Sequence, residues 1–388
     1  MTKPYLLLLL ALAVLPLKAD DWMSRLPDNA FVAALSIPGA HDACTGSGWS
    51  SLEDFGEQYA CTQELTLAEL WAAGVRAFDL RPCVYSGYLN INHGMIPTKM
   101  HFDEAMLLLS DSLAAHPTEF VIIHLLHEKD GDQLESGYEQ QLLELFGSDG
   151  LKDRLADFKK NLTVGDLRGK MLVLSRDKYA EKPVGGFIEN WSHSADFEQQ
   201  KKGKIVGASG SAILYMQDVF DTHEEGVLDA KITAIRKLLD VSTKIKPTVS
   251  TSLRWIINFV SAFSLTQSFF GSDVSLSDGY RDNAVHTHAA VIDYMAAHTA
   301  GPMGIVMMDY AGTDRSGSYD VRGLELVQTV IDNNFKYVAD AGIGTVSTPH
   351  RPTTARWTLG GQHVEQPHKG QMTIKRTANG QVRKEITK

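Results

Sequence analysis

Short, nearly continuous apolar runs alternate along the chain with longer amphipathic segments. Apolar runs of this length are typical of strands that are covered on both faces in a parallel sheet. We predict strands at 31–37, 75–81, 89–93, 120–126, 171–175, 212–218, 253–259 and 304–309. The intervening segments have helical spacing of apolar residues, and we predict helices at 62–74, 102–116, 138–146, 229–240, 284–298 and 321–335.

About eight strands with interleaved helices predict an α/β protein with a closed (β/α) barrel of the TIM type. In such a barrel the reactive side chains gather at the carboxyl ends of the strands. The alternative architecture is a doubly wound open sheet. Only the closed barrel makes the first and last strands neighbours, so only the barrel brings their ends together.

The two ends of the chain depart from this pattern. Residues 1–19 carry one lysine, an apolar run and a small final residue, which is typical of a cleaved secretory signal and too short for a membrane span. We expect residues 20–345 to form the barrel. Residues 346–388 predict a polar linker followed by a β-hairpin around Asn379-Gly380, a pair that suits a type I′ turn. The protein is therefore expected to be secreted or periplasmic, with a C-terminal appendage that takes no part in catalysis.

Composition narrows the function classes. The chain has 388 residues, of which 44% are hydrophobic, and a net charge of −10. This charge argues against a general nucleic-acid binder, because such proteins gain affinity from clustered Lys and Arg. Three cysteines, Cys44, Cys61 and Cys83, leave open either a Cys44–Cys61 disulfide or three separate thiols.

Polar residues follow or end four of the predicted strands. They are His41 and Asp42 at the first, Asp79 and Arg81 at the second, His93 at the third, and Asp309 at the last. Two histidines and an arginine can cleave a phosphodiester without a metal. One imidazole removes a proton from the attacking hydroxyl and the other donates one to the leaving oxygen, while the guanidinium binds the phosphate oxygens.

Four short motifs, "SIPGAHD", "AFDLR", "INHG" and "VMMDY", occur in this order in the chain. Together they resemble the hallmarks of bacterial phosphatidylinositol-specific phospholipase C, a family with a distorted (β/α)8 barrel. The resemblance runs from about residue 21 to about residue 340. It implies cleavage of phosphatidylinositol to diacylglycerol and inositol 1,2-cyclic phosphate, a lyase-type reaction in which a hydroxyl of the substrate is the nucleophile.

The resemblance also implies roles for the strand-end residues. His41 would be the general base for the inositol 2-hydroxyl, and His93 the general acid for the diacylglycerol oxygen. Arg81 would bind the phosphate, and Asp309 would orient His41. Asp42 would lie beside the attacked phosphate, while Asp79 would complete the polar network around Arg81.

Further matches imply substrate-binding residues. "VLSRDKY" resembles the family strand whose arginine contacts inositol, which points to Arg176. "YMQDVF" resembles the segment that supplies an aspartate and a stacking aromatic ring, which points to Asp218 and Phe220; in the family this ring is commonly Tyr. After the strand at 120–126, His127 and Glu128 are better placed than His124 to face the site, although a core or supporting role is the favoured interpretation. Glu128 is the candidate for a contact with substrate.

A metal and a cofactor are not expected. Calcium-dependent relatives place a carboxylate where Arg81 stands, and a guanidinium there would repel a cation that needs several oxygen ligands. Two alternatives remain at this stage: a metal-dependent glycerophosphodiester phosphodiesterase, and a non-catalytic inositol- or glycan-binding barrel.

The expected partner is phosphatidylinositol in a membrane, reached through peripheral contact by a monomer. Residues 252–272 are rich in Trp and Phe, and they predict either a packed loop or a lipid-contacting rim that includes Phe263, Phe269 and Phe270. Phosphorylated phosphatidylinositol and glycosyl-phosphatidylinositol anchors are also compatible with these residues. Because no extra Lys and Arg cluster lies near the motifs, we expect unphosphorylated inositol.

Overall fold

A computed structural model describes residues 21–51, 53–133, 135–195, 203–269 and 271–338, and three strands beyond them. The chain divides into two compact units, of which the first ends at Val338. Its strands are β1 (Ser36–Ala40), β2 (Ala77–Leu80), β3 (Pro82–Tyr85), β4 (Tyr88–His93), β5 (Ile96–His101), β6 (Val121–Leu125), β7 (Leu155–Ala156), β8 (Met171–Ser175), β9 (Gly186–Glu189), β10 (Lys204–Gly207), β11 (Gly210–Gln217), β12 (Trp255–Phe259), β13 (Thr266–Phe269), β14 (Ser272–Ser275) and β15 (Gly304–Met308).

Its α-helices lie between these strands or follow them. They are α1 (Glu53–Tyr59), α2 (Leu67–Ala73), α3 (Phe102–Ala115), α4 (Tyr138–Phe146), α5 (Val164–Leu167), α6 (Val227–Ser242), α7 (Ser277–Ala297) and α8 (Gly323–Tyr337). None of the helices in the described part of the chain is long and apolar enough to cross a membrane.

The predicted barrel is confirmed. The strands close in the order β1, β2, β6, β8, β9, β10, β11, β12, β15 and back to β1. Neighbours in this ring are parallel except that β10 is antiparallel to both β9 and β11. Because β1 pairs with both β2 and β15, the ends of the first, second and last predicted strands meet at one edge.

The strand composition of the barrel differs from the prediction in two ways. The run at 89–93 forms β4, which belongs to a separate three-stranded sheet with β3 and β5 and not to the barrel. Strand β2 instead pairs directly with β6, and two strands that were not predicted, β9 and β10, enter the ring between β8 and β11. Both are only four residues long and only partly buried, so their pattern is weaker than that of the central strands.

The first strand begins and ends later than predicted. Residues 32–34 form a short 3-10 helix, and β1 continues through Pro38 and Gly39 rather than stopping before them. Pro38 is accommodated within this strand. Its carbonyl accepts a hydrogen bond from the Arg76 amide on the neighbouring segment, and proline has no N–H that would need a partner there. A side chain at Gly39 would come within 2.5 Å of the Met307 sulfur on the neighbouring strand. The segment "SIPGA" thus carries the chain directly to His41.

The predicted helix at 62–74 begins at Leu67, because a capping box fixes its start. The Thr66 hydroxyl accepts a hydrogen bond from the Glu69 amide, and the Glu69 carboxylate accepts one from the Thr66 amide.

The core formed by the strands and surrounding helices is continuous, and it includes the fully buried rings of Trp22, Phe78 and Phe102. Cys44, Cys61 and Cys83 are buried free thiols, so the alternative of a Cys44–Cys61 disulfide is wrong.

The second unit contains a three-stranded antiparallel sheet of β16 (Ala355–Thr358), β17 (Met372–Arg376) and β18 (Val382–Ile386). Strands β17 and β18 lie on either side of Asn379-Gly380, the pair on which the hairpin was predicted. Strand β16 lies in the segment that was expected to be a linker. The turn residues themselves and the predicted signal at 1–19 lie outside the described residues.

Candidate active site

The predicted catalytic residues meet at one mouth of the barrel. His41 follows β1, and its amide donates to the carbonyl of Met308 at the end of β15. Asp309 is the next residue after β15, and Asp79 lies on the neighbouring β2. The closed ring therefore brings together side chains that are up to 268 positions apart in the chain.

A carboxylate holds the His41 ring. The Nδ1 atom of His41 lies 2.7 Å from Asp309 Oδ1, and the other carboxylate oxygen, Oδ2, accepts a hydrogen bond from the Ala262 amide at 3.1 Å. Asp309 is fully buried. A carboxylate in this position favours the tautomer with the proton on Nδ1, which leaves a lone pair on Nε2 for accepting a proton.

Arg81 lies at the centre of the site. Its Nη2 atom is 2.7 Å from His41 Nε2 and 2.9 Å from Asp79 Oδ2, and its Nε atom is 2.9 Å from Asp42 Oδ1. The Nη1 atom lies 3.9 Å from Glu128 Oε2. A guanidinium can only donate hydrogen bonds, so the contact with His41 requires an unprotonated Nε2.

His93 faces the same space from the separate β3–β4–β5 sheet. Its Nδ1 atom lies 2.7 Å from the carbonyl of Ala60, which fixes the ring, and its Nε2 atom lies 3.7 Å from Asp42 Oδ2. The same Asp42 oxygen is 3.4 Å from His41 Nε2. Asp42 Oδ2 is buried and has no hydrogen-bond partner among the described residues. The Nε2 atoms of the two imidazoles thus point into one small polar space around Asp42.

Two residues that directly follow His41 and Asp309 have an uncommon backbone conformation. Asp42 has φ of 41° and Tyr310, which follows Asp309, has φ of 45°. For residues other than glycine, this left-handed conformation costs about 1 kcal/mol or more, and it recurs where a site fixes side-chain direction. At Asp42 it lets the backbone amide approach Asp79 Oδ2 while the carboxylate reaches Arg81.

The charges at the site shift its pKa values in different directions. Burial acts to lower the pKa of His41, but the carboxylates of Asp42 and Asp309 outweigh it and raise the pKa to about 9. Burial lowers the pKa of His93. Taken alone, this order would put the proton on His41 and make it the acid. The 2.7 Å contact between His41 Nε2 and an arginine N–H argues the opposite for this arrangement, because it requires an unprotonated Nε2.

The residues expected to bind substrate lie in a second group. Asp218 is buried, and its Oδ2 atom lies 2.8 Å from Trp191 Nε1 and 3.0 Å from His193 Nδ1. The Arg176 guanidinium lies over the Trp191 ring, 4.4 Å from its centre. Phe220 is 49% exposed. Burial tends to raise the pKa of Asp218, yet the bond from His193 and nearby charges lower it to about 2, so Asp218 is a carboxylate.

Glu128 lies beside the first group, with its Oε2 atom 3.9 Å from Arg81 Nη1. Burial raises the pKa of this carboxyl to about 7 despite the opposing effect of Arg81. His127 does not face the site beside Glu128 and has instead the core or supporting role that the sequence favoured. His127 Nε2 lies 2.8 Å from Asp132 Oδ2, and the ring stacks on Tyr138 at 3.5 Å.

His124 contacts the site, although the sequence favoured His127 and Glu128 over it. Its Nδ1 atom lies 2.7 Å from Asp79 Oδ1, and its ring packs against Trp191 and Phe259. His124 is buried inside an apolar strand, a position that is more often structural, and its partner lies on the neighbouring strand. The signal that could have identified it is the side-chain alternation of β6, which points residue 124 to the face opposite that of residue 123.

The predicted aromatic rim is only partly described. Phe263 is half-buried and packs against Tyr280 and Phe220, with ring centres 5.8 and 6.2 Å away. The side chains of Phe269 and Phe270 lie outside the described residues. Two other apolar side chains near the mouth are exposed: Met95, two residues after His93, is 76% exposed, and Leu265 is 42% exposed.

Within the described residues, one group of side chains has the spacing of a metal site. The donor atoms of His41, Asp42 and Asp79 lie within 4.8 Å of one another. The Arg81 guanidinium contacts all three, so a cation already lies among these donors. A divalent cation would have to displace it and overcome its repulsion.

Comparisons with known proteins point to one group. No family model matches the chain. A 1-phosphatidylinositol phosphodiesterase of Staphylococcus aureus is 25% identical over 324 residues, covering 81% of this chain and 94% of the relative. One of Listeria monocytogenes is 30% identical over 168 residues, 42% of this chain and 50% of the relative.

Solved structures extend the likeness to the fold. A phosphatidylinositol-specific phospholipase C of Staphylococcus aureus matches with a TM-score of 0.62 at 21% identity, covering 79% of this chain and 96% of that structure. The enzyme of Listeria monocytogenes matches with a TM-score of 0.59 at 22% identity, covering 81% and 97%. The resemblance predicted from the motifs is thus confirmed: over about four-fifths of its length, the chain is similar in sequence to a bacterial 1-phosphatidylinositol phosphodiesterase and shares the fold of bacterial phosphatidylinositol-specific phospholipases C.

Proposed function

We propose that this protein is a phosphatidylinositol-specific phospholipase C that releases diacylglycerol and inositol 1,2-cyclic phosphate. The observation that carries the proposal is the pair of imidazoles, His41 and His93, whose Nε2 atoms face Asp42 beside the Arg81 guanidinium. Cleavage of a phosphodiester by acid–base catalysis needs one group that takes the proton of the attacking hydroxyl and another that donates a proton to the leaving oxygen. The homology to bacterial phosphatidylinositol phosphodiesterases supports the choice of substrate.

The proposed reaction is one displacement at phosphorus. The inositol 2-hydroxyl oxygen attacks the phosphorus, and its proton passes to His41 Nε2. The bond from phosphorus to the glycerol oxygen breaks, and His93 donates its Nε2 proton to that oxygen. Arg81 neutralises the charge on the non-bridging oxygens, and Asp309 stabilises the imidazolium that forms at His41. Because the nucleophile belongs to the substrate, much of the entropic cost of approach is already met.

The second group of residues supports inositol as the headgroup. We propose that the Asp218 carboxylate and Arg176 bind ring hydroxyls and that Phe220 packs on the ring face, with Glu128 at the boundary to the phosphate. Trp191 orients two of these groups, since it donates to Asp218 and lies under Arg176. Two of the four proposed contacts, Asp218 and Glu128, are carboxylates. A carboxylate accepts hydrogen bonds from hydroxyl groups and repels phosphate groups, so this pair favours unphosphorylated phosphatidylinositol. Glycosyl-phosphatidylinositol anchors present the same ring and are a second substrate class to assay.

We propose that catalysis needs no metal. In vesicles of phosphatidylinositol, turnover with EDTA is expected to stay within about twofold of turnover without it, because Arg81 supplies the positive charge at the phosphate. The assay measures released diacylglycerol. A turnover that EDTA abolishes and Ca²⁺ restores would instead favour a metal-dependent glycerophosphodiester phosphodiesterase. A folded protein that binds inositol without any turnover would favour a non-catalytic binding barrel.

Peripheral membrane contact through the barrel mouth is part of the proposal. Replacing Met95 and Leu265 with serine is expected to weaken binding to phosphatidylinositol vesicles by about 100-fold or more, since burying each side chain contributes roughly 1.5 to 3 kcal/mol. Sedimentation of vesicles measures the affinity. Turnover of a short-chain monomeric substrate should persist.

The matched control for membrane contact is Ile213→Ser. Ile213 is 45% exposed, but it lies near the start of β11, at the opposite end of the barrel from the site. Vesicle affinity should be unchanged in this variant. Equal losses in both variants would argue against contact through the mouth.

We also propose that the protein is exported with loss of residues 1–19 and acts as a monomer. The apolar N-terminal run supports export, and a soluble form meeting its substrate at a membrane surface is consistent with it. N-terminal sequencing of the secreted protein tests the cleavage after Ala19, and sedimentation equilibrium tests the monomer.

A further inference from the structure

Lys231, on α6, is a fully buried cation that the proposed reaction does not use. Its side chain is 0% exposed, and no ion pair joins it to a carboxylate among the described residues. Its Nζ atom donates to the carbonyl oxygens of Phe259 at 2.9 Å and Ser261 at 2.8 Å, and to that of Val219. All three acceptors lie at or just beyond the carboxyl ends of β11 and β12, which form part of the barrel mouth.

The three acceptors identify the protonated form of the side chain. A lysine ammonium has three N–H donors, whereas a neutral amine has two and a lone pair that would face a carbonyl oxygen. Burying an ammonium without a paired carboxylate is costly, and an apolar side chain of the same length would avoid that cost. The arrangement therefore points to a role for the three bonds that is more specific than filling the core.

One of these bonds leads to the base. The Ser261 carbonyl and the Ala262 N–H belong to the same peptide group. Lys231 donates to that carbonyl, and the N–H donates to Asp309 Oδ2 at 3.1 Å. The other oxygen of Asp309 lies 2.7 Å from His41 Nδ1. An ammonium on the carbonyl side polarises the peptide and strengthens its N–H as a donor.

We propose that Lys231 is a positioning residue: its ammonium fixes the Ser261–Ala262 peptide, which holds Asp309 and through it the ring of His41. The kinetic consequence rests on the proposed function, whereas the link from Lys231 to the Ala262 amide does not. The bond to the Val219 carbonyl has a parallel effect on the inositol side, because Val219 lies between Asp218 and Phe220.

The electrostatic surroundings agree with this role. The charged groups that act on the amine are the carboxylates of Asp218 and Asp309, one from each half of the site. Burial lowers the pKa of Lys231 to about 7 against the effect of these carboxylates. As pH rises through this value, the amine loses its charge and its third N–H, and the peptide at 261–262 loses its anchor.

The test is Lys231→Met, which keeps the length of the side chain and removes the donors. Hydrogen exchange of the Ala262 amide, followed by NMR, is expected to be about 10-fold faster or more. The kcat for phosphatidylinositol in detergent micelles is expected to fall by about 10- to 100-fold, because a small displacement of the base is costly. Retained protection of Ala262 together with retained kcat would overturn the proposal.

Arg76→Met is the matched control. Arg76 is also a fully buried cation that donates to backbone carbonyls, those of Trp71 and Val75, but unlike Lys231 it pairs with a carboxylate, that of Glu119. It precedes β2, at the other end of the barrel. Its loss should lower the melting temperature while leaving kcat and Ala262 exchange unchanged at temperatures where the variant is folded. A similar fall of kcat in both variants would mean that general destabilisation explains the effect, and would overturn the positioning role.

Two further measurements separate the possible failures. If wild-type protein does not turn over phosphatidylinositol, the proposed function fails, and the Ala262 exchange rate still decides whether Lys231 holds the peptide. If Lys231→Met does not fold, the wild-type protein is titrated with its lysine side chains labelled. The Ala262 amide shift must then follow the deprotonation of Lys231, and an amide that does not respond would overturn the proposal.

Discussion

Replacing His41 with alanine is expected to lower kcat on phosphatidylinositol by about 10²- to 10⁴-fold, the range that general base catalysis contributes. The reason is local: His41 Nε2 is the acceptor beside Arg81, held in its tautomer by the 2.7 Å contact of Nδ1 with Asp309. The affinity for inositol should change little, because the residues of the second group remain in place. Steady-state kinetics and calorimetric titration with inositol measure the two quantities.

The control for this loss is another buried histidine. His288 lies on α7 and bonds only to the carbonyl of Val321 among the described residues, so His288→Ala should keep kcat while it is folded. A His41→Ala variant that keeps turnover within about threefold of wild type would contradict the assignment of a general base.

The leaving group distinguishes the base from the acid. With a substrate analogue whose leaving group is a nitrophenolate, the departing oxygen needs no proton. Loss of His93 should then cost far less than it does with phosphatidylinositol, whereas loss of His41 should cost as much as before. If loss of His41 instead costs far less with this analogue and loss of His93 costs as much as before, His41 is the acid and His93 the base. The order of their two pKa values, taken alone, would suggest that assignment.

Replacing Arg81 with lysine is expected to lower kcat by about 10²- to 10³-fold, although the charge is kept. The guanidinium contacts Asp42, Asp79 and His41 with different N–H groups at once, and a single ammonium cannot reproduce this geometry. In the complex the same donors would contact two phosphate oxygens. Kinetics with phosphatidylinositol in micelles measure the effect.

Arg168→Lys is the control for that substitution. Arg168 also uses several donors, to the carbonyls of Met23, Leu26 and Thr118, but it lies far from the mouth and should leave kcat unchanged. If Arg81→Lys behaved like Arg168→Lys, positive charge alone would suffice at the phosphate, and the bidentate contact would be unnecessary.

The sequence predicted much of the barrel because its central strands are nearly continuous apolar runs. It could not predict which sheet a short run joins: β4 has strand character but pairs with β3 and β5, whereas β9 and β10 are short, partly exposed and without a clear period. Sheet membership depends on tertiary contacts that no local pattern encodes.

The site was predictable where motifs end a strand and less so where a polar residue is buried within an element. His124 and Lys231 lie within an apolar strand and an amphipathic helix, and their partners are 45 and up to 30 positions away in the chain. Their sequence neighbourhood therefore gives no sign of Asp79 or of the Ser261 carbonyl. Trp191 is similar, because its contacts with Arg176 and Asp218 arise only when β8 and β11 both end at the mouth.

The most direct test of the proposed chemistry is phosphorus NMR of the purified protein with phosphatidylinositol vesicles in EDTA. If His41 activates the inositol 2-hydroxyl and no metal is required, the signal of inositol 1,2-cyclic phosphate appears as that of phosphatidylinositol declines. Formation of inositol 1-phosphate as the first product, or no reaction by the folded protein, would contradict the account.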